Sequence, residues 1–417
     1  MKGKTQSSSM ENLLRLIHDH EDYTDQRCLQ LYPATNRMSE NVRGLLSSTI
    51  GSRPAEGDPG DRYQTGMTYI DALDRLADSL LRELYDASGS EIRVLSGSMA
   101  NGLVFNALTQ PGDTILAPPV VAGGHISHHA MGVAGYHGLR TVEIGFDNDA
   151  MNVDWESLAD LVRKHHPRLI ILGQSLCLFP PPFERIQEIM AQTDAVFHYD
   201  RAHVSGLIAG KAFPNPLEHG FSVLTSSSYK TFPGPPGGFI LTNDETIHQR
   251  IKRATFPGFT ANYHCNRVAA LAATCLEMLR YGRDYAGQIL KNSKTLAECL
   301  DQHGFNVLGK NFGFTKTHQI ALDVSGIGGG AWCARQLEQA HILCNKNLIP
   351  GDNPKQVKNP SGLRMGTQEV TRLGMKETEM GTIADMIARV LLEKINPLTE
   401  RKEVEAFRSS FKKIVFC

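Results

Sequence analysis

The sequence predicts an α/β protein: a large, mostly parallel sheet with helices on both faces, and a smaller C-terminal α+β domain. Three observations carry that expectation. Short apolar runs alternate with helical segments between residues 114 and 241, the pattern of strands joined by crossover helices. The stretch from Cys265 to His303 reads as one long connecting helix. Beyond it strands and helices mix without that alternation, at Thr315–Val324, Ala331–Ala340 and Glu377–Lys394. The expected divisions are an N-terminal arm over 1–45, a large ligand-binding domain over 46–290 and a small domain over 291–417.

Taken in order, Met1 to Met10 is polar and serine-rich and reads as a flexible arm, followed by a short helix from Glu11 to His20. It lacks the apolar core of a signal peptide. Residues 31–71 are irregular and glycine-rich, and a loop of that length inside a compact domain is expected to be functional. Leu73, Leu76, Ala77, Leu80, Leu81 and Leu84 then recur at helical spacing, which predicts an amphipathic helix. Strands are expected at Thr114–Ala117, Thr141–Ile144, Leu169–Gly173, Ala195–Tyr199, Val223–Thr225 and Gly238–Leu241, with helices at Trp155–His165 and Phe183–Gln192. Thr399–Lys413 reads as a charged helix with a solvated face.

Composition narrows the function. A chain of 417 residues, 41% of them hydrophobic, has ample material for a large core. A net charge of -1 argues against nucleic acid or an anionic membrane as the main partner. No run is long enough to cross a bilayer. The eight cysteines lie far apart, with no C-x-x-C pair, which suits reduced thiols in a cytoplasm.

The most informative stretch is Ser226-Ser227-Ser228-Tyr229-Lys230. A lysine leaving a strand can form a Schiff base with a carbonyl cofactor, and neighbouring hydroxyls can hold a phosphate; pyridoxal phosphate needs both. An exposed loop lysine is the plain alternative. Four further features fall at strand ends, where ligands sit in open α/β sheets. Ser96-Gly97-Ser98 opens a helix from Met99 to Thr109 and suits a phosphate. Asp200 ends a strand, and a buried carboxylate there needs a partner, which a protonated pyridine nitrogen would supply; a helix cap or salt bridge is the alternative. His203 and Ser175 could face the cofactor's phenolic oxygen. His125 follows a glycine turn and could stack on a ring. His125, His128 and His129 could instead hold a metal, but no acidic or thiolate ligand stands at recognisable spacing, so no metal is expected. Arg364 suits bidentate capture of a carboxylate, or is a surface arginine.

Together these features resemble the serine hydroxymethyltransferases, fold-type-I pyridoxal-phosphate enzymes, over nearly the whole chain. The resemblance is carried by residues 54–63, Ser96 to Asn101, Gly123-Gly124-His125, Asp200 to Leu207, Phe213 to Pro216, Tyr229-Lys230-Thr231, Asn345-Lys346-Asn347 and Arg364 to Thr367. Tyr281 to Ala286 and Phe312 to Gln319 are also similar to the threonine transaldolases. The resemblance implies Lys230 as the Schiff-base lysine, Asp200 on the ring nitrogen, His125 stacked on the ring, and Ser175 and His203 near its phenolic oxygen. It implies phosphate contacts from Ser96, Gly97, Ser98 and Ser227, and substrate contacts from Arg364, Tyr63 and Glu56. Glu56 would act as acid/base from a partner subunit, in a homodimer or dimer of dimers. Glu56, Tyr63 and Asn347 match folate contacts of the family and imply tetrahydrofolate, whereas the transaldolase likeness implies an aldehyde acceptor; both stay open.

The departures cluster around the substrate. The family's Ala-Ser-Glu-Asn string is Pro33-Ala34-Thr35-Asn36 here. Pro54 and Gln64 replace tyrosines, Tyr229 replaces the histidine before the lysine, and Pro236 replaces an arginine. The expectation is therefore Cα–Cβ bond transfer on an amino acid other than the housekeeping substrate. Decarboxylation, oxidative deamination or β-elimination with the same cofactor is the alternative, told apart by its products. A non-catalytic binding protein on the same scaffold would be told apart by lacking cofactor absorbance.

Overall fold

A computed structural model describes residues 2–417 of the chain. Its large sheet has seven strands: β1 (Gly89–Glu91), β2 (Thr114–Ala117), β3 (Arg140–Glu143), β4 (Leu169–Leu172), β5 (Val196–Asp200), β6 (Val223–Ser227) and β7 (Gly238–Thr242). Their spatial order is β1-β7-β6-β5-β4-β2-β3. Strands β2 to β6 pair in parallel, and β7 runs antiparallel to both β6 and β1. Every residue of β4 is buried, which is why Leu-Ile-Ile-Leu is an unbroken apolar run. The six expected strands all form, shifted by at most a residue or two. The edge strand β1 carried no apolar signal, because Gly-Ser-Glu joins the sheet through backbone pairing with β7 alone.

Helices cover both faces. The first, α1 (Thr68–Tyr85), buries Ala77, Leu80, Leu81 and Leu84 but leaves Leu76 exposed. It is followed by α2 (Gly97–Leu108), α3 (Trp155–His165), α4 (Phe183–Met190) and α5 (Glu245–Arg253). Helix α6 (Cys265–Gln302) runs from one core to another: Val268, Leu271 and Ile289 pack in the core of the large sheet, and Leu296 and Leu300 in a second core.

The second core backs a four-stranded antiparallel sheet of β8 (Asn306–Val307), β9 (Gln319–Asp323), β10 (Asn345–Asn347) and β11 (Gly362–Gly366), in the order β8-β9-β11-β10. Helices α7 (Gly329–Gln339), α8 (Glu377–Leu391) and α9 (Pro397–Arg408) complete it. Leu29 and Leu31, far earlier in the chain, join this core, where Leu29–Gln30 pairs in parallel with Ile342–Leu343.

Three local expectations change, the first being that residues 31–71, expected to be irregular, hold a helix over Glu40–Leu46 capped by Ser39. The N-terminal helix spans Lys2–Glu21 and begins well before Glu11, so the arm is helical, while Met1 lies outside the described residues. The charged helix α9 is not wholly solvated: Val404, Glu400 and Arg408 are buried, and Glu400 accepts from Arg389 Nε at 2.9 Å. Among the described residues no helix is long and apolar enough to cross a membrane.

Candidate active site

One cavity sits at the carboxyl ends of β4, β5 and β6, beside the point where strand order reverses between β2 and β4. Its walls include Ser96, Gly97, Ser98, His125, Ser175, Asp200, His203, Ser227, Tyr229 and Lys230. These residues are scattered over 135 positions of sequence, from 96 to 230, and the sheet topology gathers them.

Each wall has a local cause. The side chain of Ser96 caps α2 by accepting the Met99 N–H at 3.1 Å, so the free N–H groups of that helix end face the cavity. Gly173, with φ 97°, lets the strand end approach β5 so closely that a Cβ there would meet the Asp200 carbonyl at 2.0 Å. Gly124 likewise tucks under Pro118, whose carbonyl would lie 1.9 Å from an added Cβ, and this brings His125 inward. The lysine loop is pinned from three sides. Asn36 Nδ2 donates to the Lys230 carbonyl at 2.5 Å, Thr231 Oγ1 to the His203 carbonyl at 2.7 Å, and Ser228 Oγ to the Pro235 carbonyl at 2.6 Å.

Asp200 is the most elaborately held group. Its Oδ2 accepts from Asn101 Nδ2 at 2.8 Å and from His128 Nε2 at 3.2 Å, and its Oδ1 from the Ala202 N–H at 3.1 Å. Burial would raise this carboxyl, but the hydrogen bond from His128, with that from Asn101 behind it, holds it well below the usual carboxylate range. Asn101 is oriented in turn: its Oδ1 accepts from Thr225 Oγ1 at 2.7 Å, and that hydroxyl accepts from His198 Nε2 at 2.7 Å. Asp200 is thus an ionised carboxylate at the cavity floor with its polar groups already arranged.

The other ionisable groups are tuned by burial. Lys230 is lowered to about 8, mainly by desolvation, with Arg364 adding and Asp200 opposing. His125 is lowered to about 4 by burial, so it is neutral, with Nδ1 accepting from the Ser127 N–H at 3.2 Å. Arg364 projects from β11, donates through Nη1 to the Ser175 carbonyl and through Nε to Asn345 Oδ1 at 3.2 Å, and stands at the edge of the same site.

Glu56 and Tyr63 are not brought to this cavity within one chain. They flank a hairpin, Gly57–Asp58 with Asp61–Arg62, held by Arg62 against Asp71 at 2.8 Å and Asp74 at 2.5 Å. Tyr63 is 78% exposed. Gln64 donates to Glu56 Oε2 at 3.1 Å and accepts its N–H at 2.9 Å. Of the three adjacent histidines, His128 serves Asp200 and His129 Nε2 bonds the Pro118 carbonyl at 3.0 Å. Among the described residues no group of three or more His, Cys, Asp or Glu could hold a metal ion. The sequence offered His128 only as a metal candidate and gave no individual role to Asn101, Thr225, His198 or Gln319. Only the helical spacing of Asn101 after Ser98 offered a signal for its inward direction.

The arrangement fits pyridoxal phosphate. A helix N-terminus with Ser96, Gly97, Ser98 and Ser227 suits a phosphate, a buried lysine suits a carbonyl carbon, and a pre-bonded carboxylate suits a ring nitrogen. Comparison with known proteins decides the family. The model of the family described as serine hydroxymethyltransferase matches residues 7–387. The chain belongs to the serine hydroxymethyltransferase family. The serine hydroxymethyltransferase of Sulfolobus acidocaldarius is 41% identical over 407 residues, covering 98% of this chain and 94% of that protein. That of Methanocella arvoryzae is 44% identical over 389 residues, 93% and 92% of the two. Among solved structures, the L-threonine transaldolase of Pseudomonas fluorescens in its internal aldimine state superposes with a TM-score of 0.89 at 27% identity, covering 99% of this chain and 94% of the other. This member of the family is thus a fold-type-I, pyridoxal-phosphate-dependent enzyme of Cα–Cβ bond transfer. When bound, the cofactor supplies a ring that withdraws electrons from the substrate Cα.

Proposed function

We propose that the chain makes or breaks the Cα–Cβ bond of a β-hydroxy or β-substituted α-amino acid larger than serine. Lys230 carries the cofactor covalently, Asp200 pairs with the ring nitrogen, and His125 stacks on the ring. Ser175 and His203 hold the phenolic oxygen, and Ser96, Gly97, Ser98 and Ser227 hold the phosphate. Arg364 binds the substrate carboxylate. The observation that carries this reading is the convergence of the cofactor-facing groups on one cavity, with Arg364 bonded to the Ser175 carbonyl beside it, while the substrate side is altered.

That alteration now has physical content. At the position of the family's carboxylate-binding serine, Ala34 offers no hydroxyl. Gln64, in place of a tyrosine, spends its amide on Glu56. Tyr229 brings a phenol to the cavity wall where the family carries a histidine. Losing one hydroxyl partner costs about 1 kcal/mol, more when a charged group loses a donor. A larger substrate that fills the vacated space recovers such contacts.

The enzyme is further proposed to be a cytoplasmic homodimer or dimer of dimers in which Glu56 and Tyr63 serve the partner's cavity. Their absence from the walls of their own cavity, the exposure of Tyr63, Tyr69 and Met131, and the free cysteines support this. The test is a screen of amino acids on the cofactor-loaded enzyme, with mass analysis of products, with an aldehyde or tetrahydrofolate as acceptor. Glycine plus an aldehyde from a β-hydroxy substrate larger than serine is expected. Serine-to-glycine turnover that exceeds it overturns the substrate reading, and carbon dioxide or ammonia overturns the reaction class.

A further inference from the structure

Gln319 opens β9 with no exposed surface, and its amide is fully used. Its Oε1 accepts the Cys177 backbone N–H at 3.0 Å. Its Nε2 donates to the Ser175 carbonyl at 3.0 Å and to His203 Nδ1 at 2.8 Å. A backbone N–H only donates and a carbonyl only accepts, so these two partners fix which end of the amide is which. Rotating it would set carbonyl against carbonyl and N–H against N–H, each a buried mismatch. Gln319 is therefore the donor to His203. That ring carries a lone pair on Nδ1 and its proton on Nε2.

His203 lines the cavity, and its ring stacks on His318 with centroids 5.6 Å apart and planes at 17°. His318 Nε2 in turn donates to the Pro33 carbonyl at 3.1 Å. Burial, with Lys230, Arg364, His318 and His125 around it, opposes a positive charge on His203. The Ser175 carbonyl also accepts from Arg364 Nη1. One buried amide thus reaches both the cavity histidine and the carbonyl on which the arginine rests.

We propose that Gln319 is a positioning residue that holds His203 as a neutral ring offering its Nε2–H to the cavity, and that fixes the Ser175 carbonyl seating Arg364. The use of that N–H rests on the cofactor reading above; the tautomer does not. His203 then acts as a hydrogen-bond donor and not as a base, and the cofactor end and the carboxylate end of the site are set by the same side chain.

The tautomer is read by nitrogen–proton correlation spectra of the histidine-labelled full chain, without cofactor, with the resonance assigned by its loss in His203→Asn. A neutral ring protonated on Nε2 is expected at pH 8. In Gln319→Glu, which replaces a donor with an acceptor, His203 is expected to take a proton on Nδ1. In cofactor-loaded Gln319→Met, the dissociation constant for glycine as the probe amino acid is expected to rise about tenfold, with the optical spectrum of the cofactor reporting binding. An Nδ1-protonated His203 in the unmodified protein overturns the proposal whether or not any variant folds. An unchanged tautomer in Gln319→Glu does the same, and unchanged glycine affinity in Gln319→Met overturns the seating of Arg364. Failure of Lys230 to take up the cofactor would sink the functional reading and leave the tautomer result standing.

Discussion

Replacing Asp200 with asparagine tests the electrostatic core of the site. The carboxylate accepts three hydrogen bonds, from Asn101, His128 and the Ala202 N–H. Two of them fall on Oδ2, so the amide oxygen of Asp200→Asn is expected to take that place. Its NH2 group then faces the Ala202 N–H and the cavity, donor against donor. The variant keeps the shape of the site but removes the negative charge that a protonated ring nitrogen would meet. A hydrogen bond to a charged group is worth about 1.5–3 kcal/mol, and each 1.4 kcal/mol is about tenfold in rate. The expected loss in proton removal from the substrate Cα is thus on the order of a hundredfold. The assay is exchange of glycine α-hydrogens with heavy water, followed by NMR on protein saturated with cofactor. It needs no knowledge of the natural acceptor. Cofactor content is expected to stay near that of the unmodified chain, since Lys230 and the phosphate turn are untouched. Exchange within about threefold of the unmodified rate would mean that the ring nitrogen does not depend on Asp200.

Lys230 lies near 8 because of burial, so its neutral, nucleophilic form appears as pH rises through about 8, well below the range of an exposed lysine; stopped-flow cofactor uptake should accelerate across that window and level off above it. Glu369 is buried and raised from 4.5 to about 7 by desolvation. A carboxyl raised in the fold contributes stability that is present at low pH and lost as pH rises through its folded value. Relative to the unmodified chain, Glu369→Gln should therefore gain roughly 3 kcal/mol between pH 4 and pH 8 in denaturant melts; a constant difference would contradict this. If Glu56 serves the partner's cavity, mixing inactive Lys230→Ala with inactive Glu56→Gln should recover up to about a quarter of full activity through hybrid dimers, and no recovery would refute the sharing.

Much of this fold was legible because its signals are local. The runs at 114–117, 169–172 and 238–241 are apolar because those strands are buried on both faces. The helix from Cys265 was legible from its unbroken length. β1 and β10 were not, because Gly-Ser-Glu and Asn-Lys-Asn enter their sheets through backbone bonds that side-chain patterning does not report. In the site, residues that touch the cavity stand at strand ends or glycine turns, where sequence grammar is strong. Their supports do not. His198 and Thr225 reach Asn101, and Gln319 reaches His203 across 116 positions of chain; only the fold makes them neighbours. Glu56 and Tyr63 stand apart from the cavity for a different reason: their hairpin is fastened to α1 of their own chain through Arg62, Asp71 and Asp74.

The most direct test is to load the protein with pyridoxal phosphate, reduce it with borohydride, digest it and map the pyridoxyl label by mass spectrometry. The label is expected on Lys230, the buried lysine whose loop is tied to Asn36, His203 and Pro235. Label on any other lysine, or none at all on a protein that binds the cofactor, would contradict it.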